Sequence, residues 1–369
     1  METHPLRSLS QAEAVRLQFK IVDAVTRNFD GLEVLSLGDL GVRAGGNKPL
    51  YTEKVQRVFA DVFDAEAALL VRGAGTGAIR WALSAAARPG DTILIHDAPL
   101  YPTTETSIQM LGLSVITADF NDSGEIRRIA EENRSLIRGI LLQHTRQSPE
   151  DFYDFQETTA LLKECLPEAA LITDDNYAAL KVERIGCQAG ADISTFSCFK
   201  ILGPEGVGVL LGKKQWIGKI QRLQYSGGSQ VQGHEAMEAL RGLIYAPVSF
   251  AIQAQVTEEL VRRLNNGEVK GVKGAFVANA QSKVALVEFE EDLAELFLAL
   301  SPKYGAAAHP VGSESKYEFA PMIYRISGTF RQKDPALGKR MIRVNPMRAG
   351  ADTILRIIRS VLEEVCGRS

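Results

Sequence analysis

The sequence predicts an α/β protein: a large domain on a mostly parallel sheet, followed by a smaller α+β domain. Three observations carry that expectation. From about residue 65 to 215, short apolar runs alternate with stretches of helical periodicity, the pattern of strand–helix–strand units. The apolar runs lack polar alternation, so each strand is expected to be buried on both faces, with helices covering both. From about residue 270 onward, strand-like and helical pieces follow one another without that regular alternation.

The strands of the large domain read as AALLV (67–71), TILIHD (92–97), LSVITAD (113–119), GILLQH (139–144), ALITDD (170–175), ISTFSCF (193–199) and VGVLLG (207–212). Between them TGAIRWALSAAA, TTETSIQMLG, IRRIAEEN and TTALLKECL carry apolar residues at helical spacing, and Gly, Pro or Asp closes each unit. A long helical run from His234, interrupted at Pro247, leads out of this domain. The later pieces are the strands KVALVEFE and MIRVN and the helices EDLAELFLAL and ADTILRIIRSVLEEV. The expected division is residues 1–50 as an N-terminal helix and active-site segment, 51–265 as the large domain and 266–369 as the small one.

Composition excludes several classes of function. With 45% hydrophobic and 24% charged residues in 369, the chain has the make-up of a soluble globular protein. A net charge of −3 gives no basic footprint for nucleic acid, and no apolar run has the length of a membrane span. The opening METHPLRSLSQAEAVRLQFK has no apolar signal core and reads as an amphipathic helix. Cys165, Cys187, Cys198 and Cys366 show no metal-ligand spacing, and reduced thiols in apolar segments imply a cytoplasmic protein without a structural metal.

Five constellations sit where strands end, the edge at which parallel sheets bind ligands. In RGAGTGAIRWAL (72–83), Gly75 and Gly77 let backbone amides approach an anion and Thr76 offers a hydroxyl at a helix start, an arrangement suited to phosphate. In HDAPLYPTT (96–104), Tyr101 lies in a Pro-bounded loop where its face can stack on a flat ring. In LLQHTRQSPE (141–150), His144 and Arg146 follow a strand, as ligand contacts or as satisfied polar groups of the loop. ALITDDNYAAL (170–180) ends an apolar strand on Asp174 and Asp175, and a buried carboxylate needs a cation or several donors. A protonated heteroaromatic nitrogen would serve, with Tyr177 donating to a phenolate-type oxygen; the bland reading is an Asx-turn at Asp175 or Asn176. Finally, FSCFKILGPEG puts Lys200 where a buried strand ends, and desolvation there favours a neutral amine able to form a Schiff base, with Ser197 three residues before it. One molecule accounts for all five: pyridoxal 5'-phosphate, with its phosphate, pyridinium ring and aldehyde.

The order of these motifs resembles fold type I pyridoxal-phosphate enzymes, specifically the class V aminotransferase and cysteine-desulfurase-like branch, from about residue 50 to the C-terminus; the whole chain is similar to the YhfS-type proteins. The most specific piece is Ser-x-x-Lys followed by Gly-Pro-x-Gly-x-Gly, here SCFKILGPEGVG. The resemblance implies that Lys200 holds the cofactor, that Ser197 contacts its phosphate, and that Asp174 with Tyr177 addresses the ring. Asp175 stays a rival, because an Asp-Asn pair also resembles the cystathionine-lyase-like cousins. SGGSQVQG (226–233) is similar to the segment through which a second subunit reaches the phosphate, so Ser226, Gly228 and Ser229 imply a homodimer with its active site at the subunit interface. IRVNPMRAG (342–350) resembles the small-domain pattern whose second arginine grips a substrate carboxylate, which nominates Arg348, with Arg343 and Arg331 as alternatives and Arg146 as a further substrate contact. The small-domain cysteine of desulfurases has no counterpart between residues 300 and 340, so persulfide chemistry by that route is not expected. The implied function is an enzyme acting on an amino acid or related amine, by transamination first, with β- or γ-elimination as the alternative and a non-catalytic binding protein as a third possibility.

Overall fold

The computed structural model describes residues 3–43, 47–146, 148, 150–224, 227–278, 283–307, 314–326 and 335–366. The chain divides into two compact units. One comprises Ala12–Thr145 and Phe152–Pro247; the other comprises Met1–Gln11, Arg146–Asp151 and Val248–Ser369.

The first unit begins with helix α1 (Gln11–Asn28) and α2 (Leu50–Val62), then runs β1 (Ala67–Arg72), α3 (Ala74–Ala86), β2 (Thr92–His96), α4 (Pro102–Met110), β3 (Ser114–Ala118), α5 (Ser123–Asn133), β4 (Ile137–Gln143), α6 (Phe155–Cys165), β5 (Ala170–Asp174), α7 (Gly186–Ala189), β6 (Ile193–Ser197), β7 (Val207–Gly212) and α8 (Lys214–Leu223). All seven expected strands form, and they pair in the order β1-β7-β6-β5-β4-β2-β3. Their apolar continuity has the cause the sequence suggested. Ile93, Ile95, Leu141 and Ile172 pack into one layer with α3, whereas Leu94, Ile140, Leu142 and Leu171 point the other way into a layer with α5 and α6. Helix α3 lies close on the sheet because the face it buries is mostly alanine: Ala78, Ala82 and Ala85, with Ile79 and Leu83 beside them.

The sheet is not parallel throughout. Strand β7 runs antiparallel to both β1 and β6. A parallel crossover takes a dozen or more residues, and only the short segment from Cys198 to Gly206 joins β6 to β7, so the chain must turn straight back. That segment opens with a single 3-10 turn, Cys198–Ile201, which ends β6 two residues earlier than the apolar run suggests and places Lys200 on a turn. Leu202 closes it in the left-handed region at φ 62°.

Helix α9 (Gly233–Asn265) carries the chain from one unit to the other and continues helical through Pro247, which the sequence reads as an interruption. The second unit then adds β8 (Val272–Val277), β9 (Ala285–Phe289), α10 (Ala294–Leu300), β10 (Met322–Arg325), α11 (Leu337–Arg340), β11 (Met341–Asn345) and α12 (Ala351–Cys366). Its sheet is antiparallel in the order β10-β11-β9-β8, packed on Leu260 and Leu264 of α9 and on Ile354, Leu355, Ile358 and Val361 of α12. Two of these strands escape the sequence reading. A register shift between Val272 and Gly274 breaks the alternation of β8, and β10 has only four residues.

Candidate active site

The expected site residues of the first unit gather at the carboxyl edge of its sheet. At the end of β1 the chain turns through Gly73 at φ 97° and enters α3. The Gly73 and Ala74 amides both donate to Gly206 O, at 2.8 and 3.0 Å, which ties this turn to the loop following Lys200. The next amides, of Gly75 and Thr76, belong to the first helical turn and have no intrahelical acceptor, so they remain the donors of a positively polarised helix end. The Thr76 hydroxyl lies 2.9 Å from that of Thr103, which brings the starts of α3 and α4 together. Tyr101 immediately precedes α4 and is 47% exposed, with its ring open to a ligand. Gly77 leaves no room for a side chain, since a Cβ there would meet Arg72 O at 2.2 Å.

At the end of β5 the two carboxylates have separate environments. Asp175 is fully buried and its oxygens are taken up within the protein: Oδ1 faces His144 Nδ1 at 2.7 Å, Oδ2 accepts from Thr173 Oγ1 at 2.6 Å, and the Gly186 amide donates at 3.2 Å. Asp174 is 8% exposed, and Asn176 donates to its Oδ1 through both backbone and side chain, at 3.0 and 2.7 Å. Burial pushes the Asp174 carboxyl up to about 6, against the lowering effect of the Asn176 hydrogen bonds. A carboxylate held in that condition gains from a cation. The acid suited to a protonated ring nitrogen is therefore Asp174.

Asn176 is the residue that sequence reading passed over as an Asx-turn. Besides binding Asp174, its Oδ1 accepts from the Ser197 amide at 3.0 Å. Its side chain also lies against Gly75, where a Cβ would come within 2.6 Å of Nδ2. One amide thus links the phosphate-type turn, the carboxylate and the start of the lysine turn. The only signal for it in the sequence is its place directly after two strand-end aspartates.

Ser197 caps the 3-10 turn, its Oγ accepting from the Phe199 amide at 3.2 Å. Lys200 is half-buried, with Nζ 4.4 Å from the ring centroid of Tyr177 and 5.8 Å from that of Phe199. Tyr177 sits in the left-handed region at φ 65°, and Lys181, itself buried, approaches the same ring at 5.7 Å. His144 stacks face to face on Phe155 with centroids 3.5 Å apart, a contact the sequence does not advertise. Gly228 is exposed and Ser229 half-buried in a short 3-10 turn; Ser226 lies outside the described residues.

The nominated arginines belong to the second unit. Arg348 donates to Gln253 Oε1 at 3.0 Å and to Met347 O, beside the ring of Phe250. Arg343 stacks on Tyr324, 4.0 Å from guanidinium to ring, as a cross-strand pair of β11 and β10. Arg146 is buried and bonds His4 O. Arg331 lies outside the described residues. Burial and the charge of Asp175 push the Cys187 thiol up to about 12, and full burial raises Cys198 too, so neither thiol suits a nucleophile.

The residues fit pyridoxal phosphate on three counts: orphan helix-start amides for an anion, a buried acid for a ring cation, and a lysine on the adjoining turn. Comparison with known proteins agrees. Residues 43–241 match the family model aminotransferase class-V, and residues 258–358 match the model of the YhfS-like C-terminal domain. The chain is 50% identical over 365 residues, 99% of its length and 100% of the relative's, to the uncharacterized protein YhfS of Escherichia coli. A crystal structure of the pyridoxal-5'-phosphate-dependent protein YhfS from Escherichia coli superposes with a TM-score of 0.96 at 50% identity, covering 99% of this chain and 100% of that one. More distant structures share the fold: a cystathionine gamma lyase from Micromonospora echinospora (TM-score 0.74, 15% identity, 94% and 99% covered) and a cystathionine gamma synthase from Xanthomonas oryzae pv. oryzae (0.70, 14%, 95% and 98%).

Proposed function

We propose, for a chain that belongs to the aminotransferase class-V family and to the YhfS-like proteins, a pyridoxal-phosphate-dependent enzyme that transaminates an amino acid or related amine. The observation that carries this reading is the Asn176 side chain, which is hydrogen-bonded to Asp174 and to the Ser197 amide and packs against Gly75 of the α3 turn.

Pyridoxal phosphate supplies an aldehyde that takes up an amine nitrogen and a pyridinium ring that draws electrons from the neighbouring carbon. The Gly75 and Thr76 amides, with Thr76 and Ser197 hydroxyls, hold its phosphate, and Tyr101 covers the ring. Asp174 keeps the ring nitrogen protonated, a task for which a desolvated carboxylate is well placed because the added cation offsets its burial. Lys200 Nζ would hold the cofactor's aldehyde and would be the group that takes and returns the proton of the substrate's α-carbon. Tyr177 lies against Nζ and limits its position. Arg348 and Arg146 are proposed for the substrate carboxylate on the resemblance of IRVNPMRAG and on the strand-end loop.

A homodimer belongs to the same proposal, with Ser226, Gly228 and Ser229 serving the partner's phosphate. Leu32, Leu35, Leu37 and Leu40 are each at least 74% exposed, a contiguous apolar stretch of the kind a second copy covers. A cytoplasmic setting agrees with free Cys165, Cys187 and Cys198.

The deciding experiment screens the loaded protein with a panel of amino acids. Turnover that requires an added keto acid and releases no ammonia supports transamination; ammonia release without a keto acid would replace it with elimination. A protein that takes up no pyridoxal phosphate would end the proposal.

A further inference from the structure

In the second unit a chain of buried amides runs from a backbone N–H to the Arg348 guanidinium, and each partner fixes the next. The Met347 amide can only donate, so the oxygen of buried Asn345, at the end of β11, faces it at 3.0 Å. That oxygen also receives Gln253 Nε2 at 2.9 Å, and the same nitrogen donates to Glu314 Oε1 at 2.9 Å. Asn345 Nδ2 donates to Glu314 Oε1 as well, at 3.3 Å. Both hydrogens of the Gln253 amide are used there, so its oxygen has to face the other way, where it accepts from Arg348 Nη1 at 3.0 Å. A guanidinium can only donate, so the orientation is fixed from both ends. Met347 O takes the other hydrogen of Nη1 at 3.1 Å. What the guanidinium offers to an outside acid is its Nε–Nη2 edge, two parallel N–H groups that match a carboxylate, and Arg348 is exposed. The arrangement is also costly. Glu314 is a fully buried acid, and Glu314 and Met347 sit in the left-handed region at φ 72° and 51°. Apolar side chains would fill the same space without that strain.

We propose that Gln253 is the positioning residue of Arg348: its amide, oriented by Asn345 and Glu314, holds Nη1 and presents the Nε–Nη2 edge to the α-carboxylate of the substrate. This rests on the functional reading above for its ligand, and narrows that ligand from an amine in general to an α-amino acid. The neutral amide matters. A direct ion pair with Glu314 would offset the charge that a substrate carboxylate has to meet. With Gln253 between them, Glu314 helps to set the direction of Arg348 and forms no ion pair with it. Gln253 lies in the interior of α9 and is 4% exposed, so the anchor is a helix and not a loop. The Arg348 backbone is held too, its amide donating to Phe319 O at 3.2 Å.

Two measurements test this. In protein without cofactor, ¹⁵N NMR of the arginine side chains reads the exchange of Nη1 with Nη2, and Arg348→Lys assigns the signal. Gln253→Met, similar in size and without an acceptor oxygen, should speed that exchange by at least about tenfold, the equivalent of one lost hydrogen bond to a charged group. Exchange indifferent to the substitution overturns the positioning role. Next, pyridoxal-phosphate-loaded protein is titrated with L-alanine, L-methionine and L-phenylalanine, each beside the amine that lacks its carboxyl group, with the cofactor's absorbance as the signal. Gln253→Met should weaken binding of the favoured amino acid by about tenfold or more and leave its amine within about twofold. Equal weakening of both, or of neither, overturns the proposal, and so does a loaded wild type that favours none of the amino acids over its amine. Asn345→Ala removes the group that turns the Gln253 oxygen toward Arg348 and leaves Gln253 in place. It should shift both readings in the same direction, and unchanged values there overturn the proposal even where Gln253→Met does not fold. A protein that takes up no cofactor refutes the functional reading, and the exchange measurement still decides whether Gln253 holds Arg348.

Discussion

Asn176 places both of its hydrogen bonds to Asp174 on a single oxygen, Oδ1, from the backbone at 3.0 Å and the side chain at 2.7 Å. The carboxylate is buried, and those two donors do not compensate its desolvation, so its pKa is pushed up to about 6. A buried acid with so few donors lowers stability in its charged form and gains from a neighbouring cation.

That relationship sets a stability prediction with a definite sign. A carboxyl whose folded value lies above its unfolded value of 3.8 favours folding in its protonated form. Its stabilising contribution is complete below the unfolded value and is lost as pH rises through about 6. In protein without cofactor, Asp174→Asn should therefore stabilise at pH 7–8, by up to about 3 kcal/mol, with the gain vanishing below about pH 4. Denaturant unfolding at both pH values checks it. The same variant should lose about 10²-fold or more in turnover, because an amide cannot hold the ring nitrogen protonated.

Lys200→Ala tests the covalent link. Borohydride should fix pyridoxal phosphate irreversibly to the wild type and not to the variant, as read by mass spectrometry after denaturation. Turnover should fall by about 10²–10⁴-fold, the range for a lost acid/base group. Cofactor trapped on the variant to the same extent would move the assignment to another amine, such as the buried Lys181, whose Nζ lies 5.7 Å from the centroid of the same Tyr177 ring.

Gly75 is the point where the phosphate turn meets Asn176. A methyl group there would lie 2.6–2.7 Å from the Asn176 amide and push it off both Asp174 and Ser197. Gly75→Ala should cost about 1–3 kcal/mol of stability. It should also weaken pyridoxal-phosphate affinity, measured by equilibrium dialysis, by about tenfold, the equivalent of one lost hydrogen bond. Gly31→Ala, where a Cβ meets nothing within 4 Å, is the control and should change neither.

The division between what the sequence conveys and what it conceals follows the range of the interactions. Strands such as TILIH and ALITD are buried on both faces, so their apolar runs announce them; β8 is obscured by the irregularity at Gly274 and β10 by its length. The reversal of β7 was present in the shortness of the link after Lys200, a feature of spacing that hydrophobicity does not convey. Within the site, Lys200, Asp174 and Ser197 stand out by type and position. Asn176 and Phe155 do not, since an amide after a strand and a phenylalanine opening a helix gain their roles only when β5, α3 and α6 are brought together.

The leucines between residues 32 and 40 give the last prediction. Exposed apolar side chains on a frayed segment would mean little, but this one is anchored. Asp39 accepts from the Leu50 and Tyr51 amides at the start of α2, at 2.6 and 3.1 Å, and its carbonyl accepts from Gly233 at 2.9 Å. Leu37 and Leu40, 78% and 76% exposed, are thus held outward on both sides of a fixed point. Burying each against a second copy is worth about 1.5–3 kcal/mol, and an aspartate there must be desolvated instead. Leu37→Asp with Leu40→Asp should therefore raise the dimer dissociation constant by at least about 10²-fold, the conversion of some 3 kcal/mol. Sedimentation velocity across protein concentration reads this, with far-UV circular dichroism to establish that the variant is folded. If subunits also complete each other's phosphate sites, the monomeric variant should lose pyridoxal-phosphate affinity in parallel. A variant that sediments as the wild type does would place the subunit contact elsewhere.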